Sequence, residues 1–245
     1  MSKKILGCLL LGLLLAACNP LETTKKVYRG RAFPAKVDFE QGTGLGQKEL
    51  KLAQALSGTD EKIERLRLAL ERQGSPPSLQ WMQGTVRSMP WLNGLRVLDS
   101  QGREMRRFPE TQVKQLNLQD IHEEISDSGS RQMRLLSLET PFGPEVCLVK
   151  PFFYQESHQG LLLAHFDFRT LIPAGPSSNE IMVFFPGKPL WTGNYGRIAR
   201  ELSLQDWNNL LAKDIHGQIT MEKKTFYWLV RYVGIDPLVY AVAIE

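Results

Sequence analysis

Apolar residues recur at helical spacing in the stretch that follows Gly44. They are three, four or seven positions apart and alternate with charged residues; they are Leu45, Leu52, Leu56, Ile63, Leu66 and Leu70. This spacing predicts one long amphipathic helix. Residues 58–60 are a candidate interruption of the helix, and residues 74–77 end it. A shorter helix is predicted over residues 78–88.

From Trp91 onward, the pattern changes to short apolar runs separated by turn residues, which is typical of strands. The runs predict a hairpin, a helix and a three-stranded meander. In chain order these are strands 94–98 and 103–108, helix 117–126, and strands 133–139, 145–154 and 160–166. The early helices are expected to cover one face of this antiparallel sheet.

Residues 173–178, rich in Pro, Gly and Ser, form the best candidate boundary, and a similar order of elements follows them. The predicted elements are strands 181–185 and 189–192, helix 204–212 with Ser203 as its N-cap, and strands 218–222, 226–232 and 238–244. The predicted fold class is therefore α+β. A long N-terminal helix carries two modules, 45–172 and 177–245, and each module is an antiparallel sheet covered by helices.

A short apolar run near the N-terminus has the features of a bacterial export signal. Lys3 and Lys4 give it a positive start, and the run over residues 5–15 is well short of the ~20 residues that span a bilayer. The next residues, Leu15-Ala16-Ala17-Cys18, resemble the lipobox of bacterial lipoproteins. That resemblance implies a signal peptide over residues 1–17 and acylation of Cys18, which would anchor the protein stably to a membrane. Ordinary secretion or an uncleaved anchor is the alternative.

Residues 18–44 show no apolar period and are predicted to be a flexible tether. Asn19 follows the acylated cysteine, where an aspartate is commonly linked to retention in the inner membrane. The expected location is therefore the bacterial cell envelope, lipid-anchored and facing the periplasm, with the outer membrane favoured over the inner one.

Charge and cysteine content limit the other function classes. The chain has 30 Lys and Arg against 26 Asp and Glu, and the leader removes two of the lysines. A charge so close to balance gives no reason to expect nucleic acid as a partner. Cys8 lies in the leader and Cys18 is acylated, so Cys147 is left without a partner for a disulfide or a cysteine-based metal site.

The order of elements resembles the double Cache domain, a PAS-like extracellular sensor of bacterial chemoreceptors and histidine kinases. The resemblance rests on the long helix, the hairpin turn at residues 99–102, the meander that ends in residues 166–171, and the second hairpin–helix–meander unit. It covers the chain from about Gly44 to Glu245. It implies a membrane-distal first module, a smaller second module and a small-molecule pocket between the sheet and the helices.

Members of that family usually lie between two transmembrane helices and pass a signal inward. This chain stops one residue after its last predicted strand, at Glu245. We therefore expect any signal to be carried by a receptor or another envelope protein.

One position matches the amino-acid-binding subgroup of the family. Asp167 falls where the resemblance implies an aspartate that binds the ammonium group of the ligand. The subgroup's Arg-x-Trp-Tyr cluster has no counterpart between Arg103 and Leu135. The alternative role of Asp167 is to cap the turn at residues 168–171.

Four further residues are candidates for contact with a ligand because their elements should border the first pocket; they are Trp81, Arg87, Trp91 and Tyr154. Aromatic side chains give small-ligand sites a large apolar area with a polar tip. Packing in the core is the alternative role for each of them.

No catalytic site, metal site or cofactor is predicted. Cys147, His165 and Asp167 could form a nucleophilic group, but a cysteine in the middle of an apolar strand is typically buried and inert. His122 with Glu123 and Glu124, and His158 with Glu156, could bind a metal by residue type, but neither group has two histidines four residues apart, as a zinc site on one helix face does. We therefore expect a protein that is not an enzyme.

The predicted function is that of a lipid-anchored extracytoplasmic protein that binds a small organic solute, as a sensor does, and acts through a partner. The alternative is a structural or docking lipoprotein of the envelope that binds no small ligand.

Overall fold

The computed structural model describes residues 47–172 and 176–244, all within one compact unit. The predicted signal peptide, Cys18 and the tether lie outside the described residues. The helices are α1 (Gln47–Glu71), α2 (Leu79–Ser88), α3 (Leu118–Ser128), α4 (Gly196–Ser203) and α5 (Trp207–Leu211), with short 3-10 turns at Phe168–Thr170 and Pro176–Glu180. Among the described helices, none is both long enough and apolar enough to cross a membrane.

The first sheet contains the predicted hairpin and meander. Its strands are β1 (Gly94–Asp99), β2 (Glu104–Phe108), β3 (Arg134–Leu138), β4 (Glu145–Tyr154) and β5 (Ser157–Phe166). All neighbours are antiparallel, in the order β2-β1-β5-β4-β3. β5 begins three residues earlier than predicted because the turn from β4 is tight and has Gln155 in the left-handed region, with φ of 53°.

The second sheet repeats the first. Its strands are β6 (Ile181–Phe185), β7 (Lys188–Trp191), β8 (His216–Met221), β9 (Lys224–Val233) and β10 (Asp236–Ala243). They are antiparallel in the order β7-β6-β10-β9-β8, which is the strand order of the first sheet. The prediction of a mixed fold with two antiparallel sheets of one plan is confirmed.

Both faces of the first sheet are covered. On one face, the sheet packs against α1 and α2 through side chains such as Leu66 and Met82, both fully buried. On the other face, Leu163 and its neighbours pack against Ile121 of α3. Since side chains alternate along a strand, successive residues of β5 face opposite layers.

Residues 58–60 lie inside α1, so the interruption considered there does not occur. The Thr59 hydroxyl is buried and donates to the Leu171 carbonyl oxygen at 3.3 Å. Asp60 Oδ2 lies 2.8 Å from Arg231 Nε, and Asp60 Oδ1 accepts a hydrogen bond from the Tyr240 hydroxyl at 3.2 Å. These polar side chains, which could have capped a new helix, instead bind other parts of the fold.

The helix predicted over residues 204–212 is confirmed only in part, as α5 at Trp207–Leu211, and its predicted start is wrong. Two short helices occur instead, and Ser203 is the last residue of α4 rather than an N-cap. The Ser203 hydroxyl donates to the Arg200 carbonyl oxygen at 2.7 Å within its own helix. Asp206 caps α5, and its Oδ1 accepts from the Asn209 amide at 3.2 Å. α4 was missed because its apolar stripe is only two turns long.

We expect Asp206→Ala to lower the free energy of unfolding by about 1 kcal/mol, because the first turn of α5 loses its side-chain cap. Asp214→Ala is the control, since Asp214 is an exposed aspartate just beyond the same helix. Urea unfolding measures both variants. Equal losses for the two variants would contradict the cap assignment.

The two sheets meet where the turn between β9 and β10 contacts β3. Asp236 Oδ2 lies 2.8 Å from Arg134 Nε and accepts from the Leu135 backbone amide at 2.7 Å. Gly234, in the same turn, has φ of 66° and lies so close to β3 that an added Cβ would be 1.9 Å from the Met133 carbonyl oxygen. A carboxylate from one sheet therefore satisfies a backbone donor at the edge of the other.

Candidate functional site

A group of polar side chains is buried at one end of the first sheet, on the face that α3 covers. Glu145 begins β4, His165 lies near the end of β5, and Asp167 follows that strand. Lys114 reaches them from the segment between β2 and α3, residues 109–117. We call Glu145, His165, Asp167 and Lys114 the buried polar cluster. All four are less than 9% exposed.

The ammonium group of Lys114 has three oxygens around it. Its Nζ lies 2.8 Å from Asp167 Oδ2, 3.0 Å from the Pro144 carbonyl oxygen and 3.0 Å from Glu145 Oε2. Two carboxylates side by side at the ends of neighbouring strands would repel each other without a cation between them. Lys114 provides that cation, so the arrangement binds a primary ammonium group.

Asp167 also binds the residues that follow it. Its Oδ1 accepts from the Arg169 backbone amide at 3.0 Å and from Arg169 Nε at 2.8 Å, and it caps the 3-10 turn at Phe168–Thr170. Burial alone would raise its pKa, but the hydrogen bonds from Arg169 and Lys114 lower the pKa of Asp167 to about 2. The carboxylate is therefore charged in the folded protein, and the predicted capping role is observed.

Glu145 connects the ammonium site to a histidine. Its Oε1 lies 2.8 Å from His165 Nδ1 and accepts from Asn93 Nδ2 at 2.7 Å. Burial lowers the pKa of His165, so its imidazole is neutral near pH 7. A carboxylate only accepts hydrogen bonds, so the neutral ring carries its proton on Nδ1 and leaves Nε2 as an acceptor.

A second set of polar atoms lies beside Gly94 at the start of β1. Gln112 Nε2 and His165 Nε2 lie 2.3 and 2.9 Å from the place where a Cβ of Gly94 would be, so glycine leaves room for both. Arg96 pairs with Glu104 and hydrogen-bonds to Gln112 Oε1. Within the described residues, Gln112 Nε2, His165 Nε2 and Arg96 Nε are buried atoms without a hydrogen-bond partner, and Glu145 Oε2 has only its ion pair with Lys114. Such atoms are costly to bury, so they mark a place for polar contacts.

Because of the buried polar cluster, we expect the protein to become less stable as the pH is lowered. The pKa of His165 is lower in the folded state than in the unfolded chain, so the unfolded state binds more protons as pH drops below about 6.5. The low pKa of Asp167 adds a second loss between about pH 4 and pH 2. Urea unfolding at pH 7.5 and 5.5 should show lower stability at pH 5.5.

His165→Gln should make that difference between pH 7.5 and 5.5 smaller, because the variant no longer has the buried imidazole that the unfolded chain protonates more readily. A pH dependence that is the same in wild type and in His165→Gln would contradict a neutral, buried His165.

The structure brings together only part of the predicted site. Asp167 is in the buried polar cluster. Trp91 packs edge-to-face on Phe166, with 5.1 Å between ring centroids, and so lies on the opposite face of the sheet from His165. Trp81 packs against the same core as Phe166.

The other two predicted contacts lie on the surface. Arg87 is exposed near the end of α2. Tyr154 is 69% exposed at the far end of β4 from Glu145. For these residues, as for Trp81 and Trp91, contact with a ligand stays a prediction.

Sequence reasoning missed Lys114, Glu145 and Gln112. Glu145 could have been noticed as a charged residue that begins a strand of otherwise apolar residues. Lys114 and Gln112 lie in an irregular segment, where no period shows which side chains turn inward. Cys147 is buried, and burial raises the pKa of its thiol, which disfavours the thiolate that a nucleophile needs. Among the described residues, no group of three or more His, Cys, Asp and Glu is placed to hold a metal ion.

Comparison with solved structures identifies the kind of fold. The extracellular domain of the histidine kinase vpHK1S-Z8 matches with a TM-score of 0.52 and 14% identity over 80% of this chain and 91% of that one. The ligand-binding domain of the Pseudomonas fluorescens chemoreceptor CtaA, in complex with L-isoleucine, matches with a TM-score of 0.51 and 9% identity over 80% and 88%. An extracellular ligand binding receptor from Desulfohalobium retbaense DSM5692 matches with a TM-score of 0.49 and 15% identity, over 81% of this chain and 39% of that one.

No family model matches the chain, and no curated protein matches it by sequence. The chain spans less than half the length of the Desulfohalobium receptor. It shares the Cache-like fold of extracellular ligand-binding sensor domains from a chemoreceptor and a histidine kinase. The predicted sensor-domain architecture is confirmed at the level of the fold.

Proposed function

We propose that this protein is a small-ligand-binding protein of the sensor type, and that the buried polar cluster receives the solute. The observation that carries the proposal is the set of three oxygens around one primary ammonium group, inside a fold shared with sensor domains. The Pseudomonas fluorescens domain of that fold is complexed with L-isoleucine, which has a primary ammonium group. That complex supports a solute of the same class here, with Asp167 as its main contact.

A library of solutes tests this function. Thermal unfolding is measured with amino acids, polyamines, organic acids and nucleobases, and at least one primary ammonium compound should raise Tm. The same compound should have a much smaller effect on Asp167→Asn, which keeps the shape of the side chain and removes its charge. A library in which no compound shifts Tm would contradict the function.

We also propose where the protein lies in the cell. The protein is held in the bacterial envelope by acylated Cys18 and faces the periplasm, with the outer membrane favoured. Residues 45–172, including the long helix α1, form the membrane-distal ligand-binding module, and residues 177–245 form the smaller module. The hydrogen bond from the Leu135 amide to Asp236 supports transmission between the modules, and a receptor or envelope partner carries the outcome.

We expect Cys18→Ser to abolish membrane attachment, because no acyl chain can be added to a serine hydroxyl by the thiol-specific step. In cell fractionation, the Cys18→Ser protein should appear in the soluble fraction, whereas the wild type should appear in the membrane fraction. Mass spectrometry of the wild-type protein should show an acylated N-terminal Cys18. An intact Met1 or a mature terminus without fatty chains would contradict the anchor.

A second candidate is a structural or docking lipoprotein. The observation that favours it is that Lys114 and Arg169 already occupy the oxygens of Asp167. If that pairing is permanent, the site is part of the core. The absence of any stabilising solute, together with a stable complex between the protein and an envelope partner, would favour this candidate.

A further inference from the structure

We infer that Lys114 is an internal ligand: it occupies the ammonium site in the resting protein, and a solute with a primary ammonium group binds by displacing Lys114 together with residues 109–117. This inference rests on the proposed function and deepens it, because it names both the chemical group of the solute and the segment that must move.

The first argument is the chemistry of the ammonium site. A primary ammonium has three N–H donors, and the site places three oxygens within 3.0 Å of the nitrogen. Two of them belong to carboxylates, Asp167 and Glu145, so the site favours a full positive charge. A guanidinium is planar and presents its donors in a flat fork, which does not match oxygens gathered around one nitrogen.

The second argument is where the lysine comes from. The oxygens belong to residues at the ends of β4 and β5, on the rigid sheet, whereas Lys114 lies in a segment without regular structure. Its neighbours Val113 and Gln115 are exposed, and Val113 is 81% exposed. Leu116 packs against the apolar layer on the α3 face, whereas the stretch from Val113 to Gln115 is held mainly by the inserted Lys114 side chain. Segments of this kind open at a low free energy compared with the sheet.

The third argument is that the same segment inserts a second polar side chain. Gln112 places its amide beside Gly94, and its Oε1 accepts a hydrogen bond from Arg96. Gln112 Nε2, Arg96 Nε and His165 Nε2 are nevertheless buried without partners among the described residues. Lys114 thus hydrogen-bonds to Asp167 and to the Pro144 carbonyl oxygen and forms an ion pair with Glu145, while the neighbouring polar atoms have no such partner among the described residues. Gln112 leaves with residues 109–117, whereas Arg96 and His165 stay on the sheet. A solute with a second polar group would hydrogen-bond to Arg96 Nε or His165 Nε2 and gain free energy over the internal ligand.

The test removes the internal ligand and replaces it with a free one. Lys114→Ala leaves the three oxygens without their cation and should lower Tm by roughly 10 °C. n-Butylammonium chloride has the four carbons and the ammonium of a whole lysine side chain, one carbon more than Lys114→Ala removes, and it should raise the Tm of Lys114→Ala by several degrees. Tetramethylammonium chloride at the same ionic strength has no N–H donors and should not raise it.

The matched control is the double variant Lys114→Ala/Asp167→Asn, in which n-butylammonium should lose most of its effect. Binding of n-butylammonium to Lys114→Ala should also be about 100-fold tighter than to the wild type, where the tethered lysine competes. The inference is overturned if both salts act equally, if the double variant responds like Lys114→Ala, or if the wild type binds as tightly as the variant.

If Lys114→Ala does not fold with either salt, a measurement on the wild type tests the inference instead. n-Butylammonium well above the millimolar effective concentration of a tethered group should speed amide hydrogen exchange in residues 109–117 and leave the strands of the sheet unchanged. Unchanged exchange in that segment would overturn the inference.

These results separate the inference from the proposed function. If library solutes stabilise the wild type but Lys114→Ala does not respond to n-butylammonium, the protein binds solutes without exchanging Lys114. If Lys114→Ala responds and no library solute stabilises the wild type, Lys114 is a permanent occupant and the sensor function fails.

Discussion

Replacing Glu145 with alanine should lower the free energy of unfolding by about 3 to 5 kcal/mol, which is the usual result of removing one partner from a buried ion pair. The side chain of Glu145 is fully buried and contacts Lys114, His165 and Asn93 at 3.0, 2.8 and 2.7 Å. The variant leaves the Lys114 ammonium with one carboxylate instead of two, and it leaves the His165 Nδ1 proton without its acceptor. Urea unfolding at pH 7.5 measures the loss.

Glu139→Ala is the matched control, because Glu139 is an exposed glutamate of the same sheet, in the connection between β3 and β4. Its effect should stay within about 0.5 kcal/mol. A loss for Glu145→Ala that is no larger than the loss for Glu139→Ala would mean that the buried polar cluster does not contribute to the native state as its geometry requires.

Gly234→Ala should cost about 3 kcal/mol, because two penalties act at one position. A residue with a Cβ resists the φ of 66° observed there, and the Cβ itself would lie 1.9 Å from the Met133 carbonyl oxygen. The Met133 carbonyl belongs to the backbone directly before β3 and has little freedom to move. The turn must therefore retreat from the first sheet, which weakens the contact between Asp236 and the Leu135 amide.

Gly187→Ala separates the two penalties. Gly187 also has a positive φ, of 87°, but no atom lies within 4 Å of its added Cβ. Its substitution should cost only about 1 kcal/mol. Denaturant unfolding of both variants checks the difference, and equal costs would show that the turn at Gly234 is not packed against β3.

The strands of both sheets could be predicted from the sequence because short apolar runs and turn residues mark them directly. Gly94 and Phe108 limit the first hairpin in prediction and structure alike. The helices of the second module could not be placed as well. α4 and α5 have eight and five residues, so neither contains enough periodic positions to fix its ends.

The candidate site was predicted only where it lies on regular structure. Asp167 was predicted from its match to the amino-acid-binding subgroup of the Cache family, and His165 was considered only for a nucleophilic group that was not predicted. Lys114 could not be found in this way, since its position depends on how an irregular segment folds back over the sheet. The aromatic candidates were chosen for their elements, but Trp91 packs on Phe166 and therefore faces the other layer. A shift of one residue along a strand changes the face, and the sequence does not show which layer holds the site.

The position of Glu145 illustrates the same limit. A charged residue at the start of an apolar strand is usually exposed at the sheet's end, and burial is stable here only because Lys114 and Asn93 arrive from distant segments. Contacts of that kind are properties of the whole fold. The contacts of Glu145 with Lys114 and Asn93 form only when the folded sheet places Glu145 beside Asp167.

The most direct measurement of the central claim is a crystal structure of the protein with the primary ammonium solute that raises its Tm most. In that structure, the ammonium group of the solute should lie within hydrogen-bond distance of the Asp167 and Glu145 carboxylates, with Lys114 displaced from them. A solute bound elsewhere while Lys114 stays between the two carboxylates would contradict it.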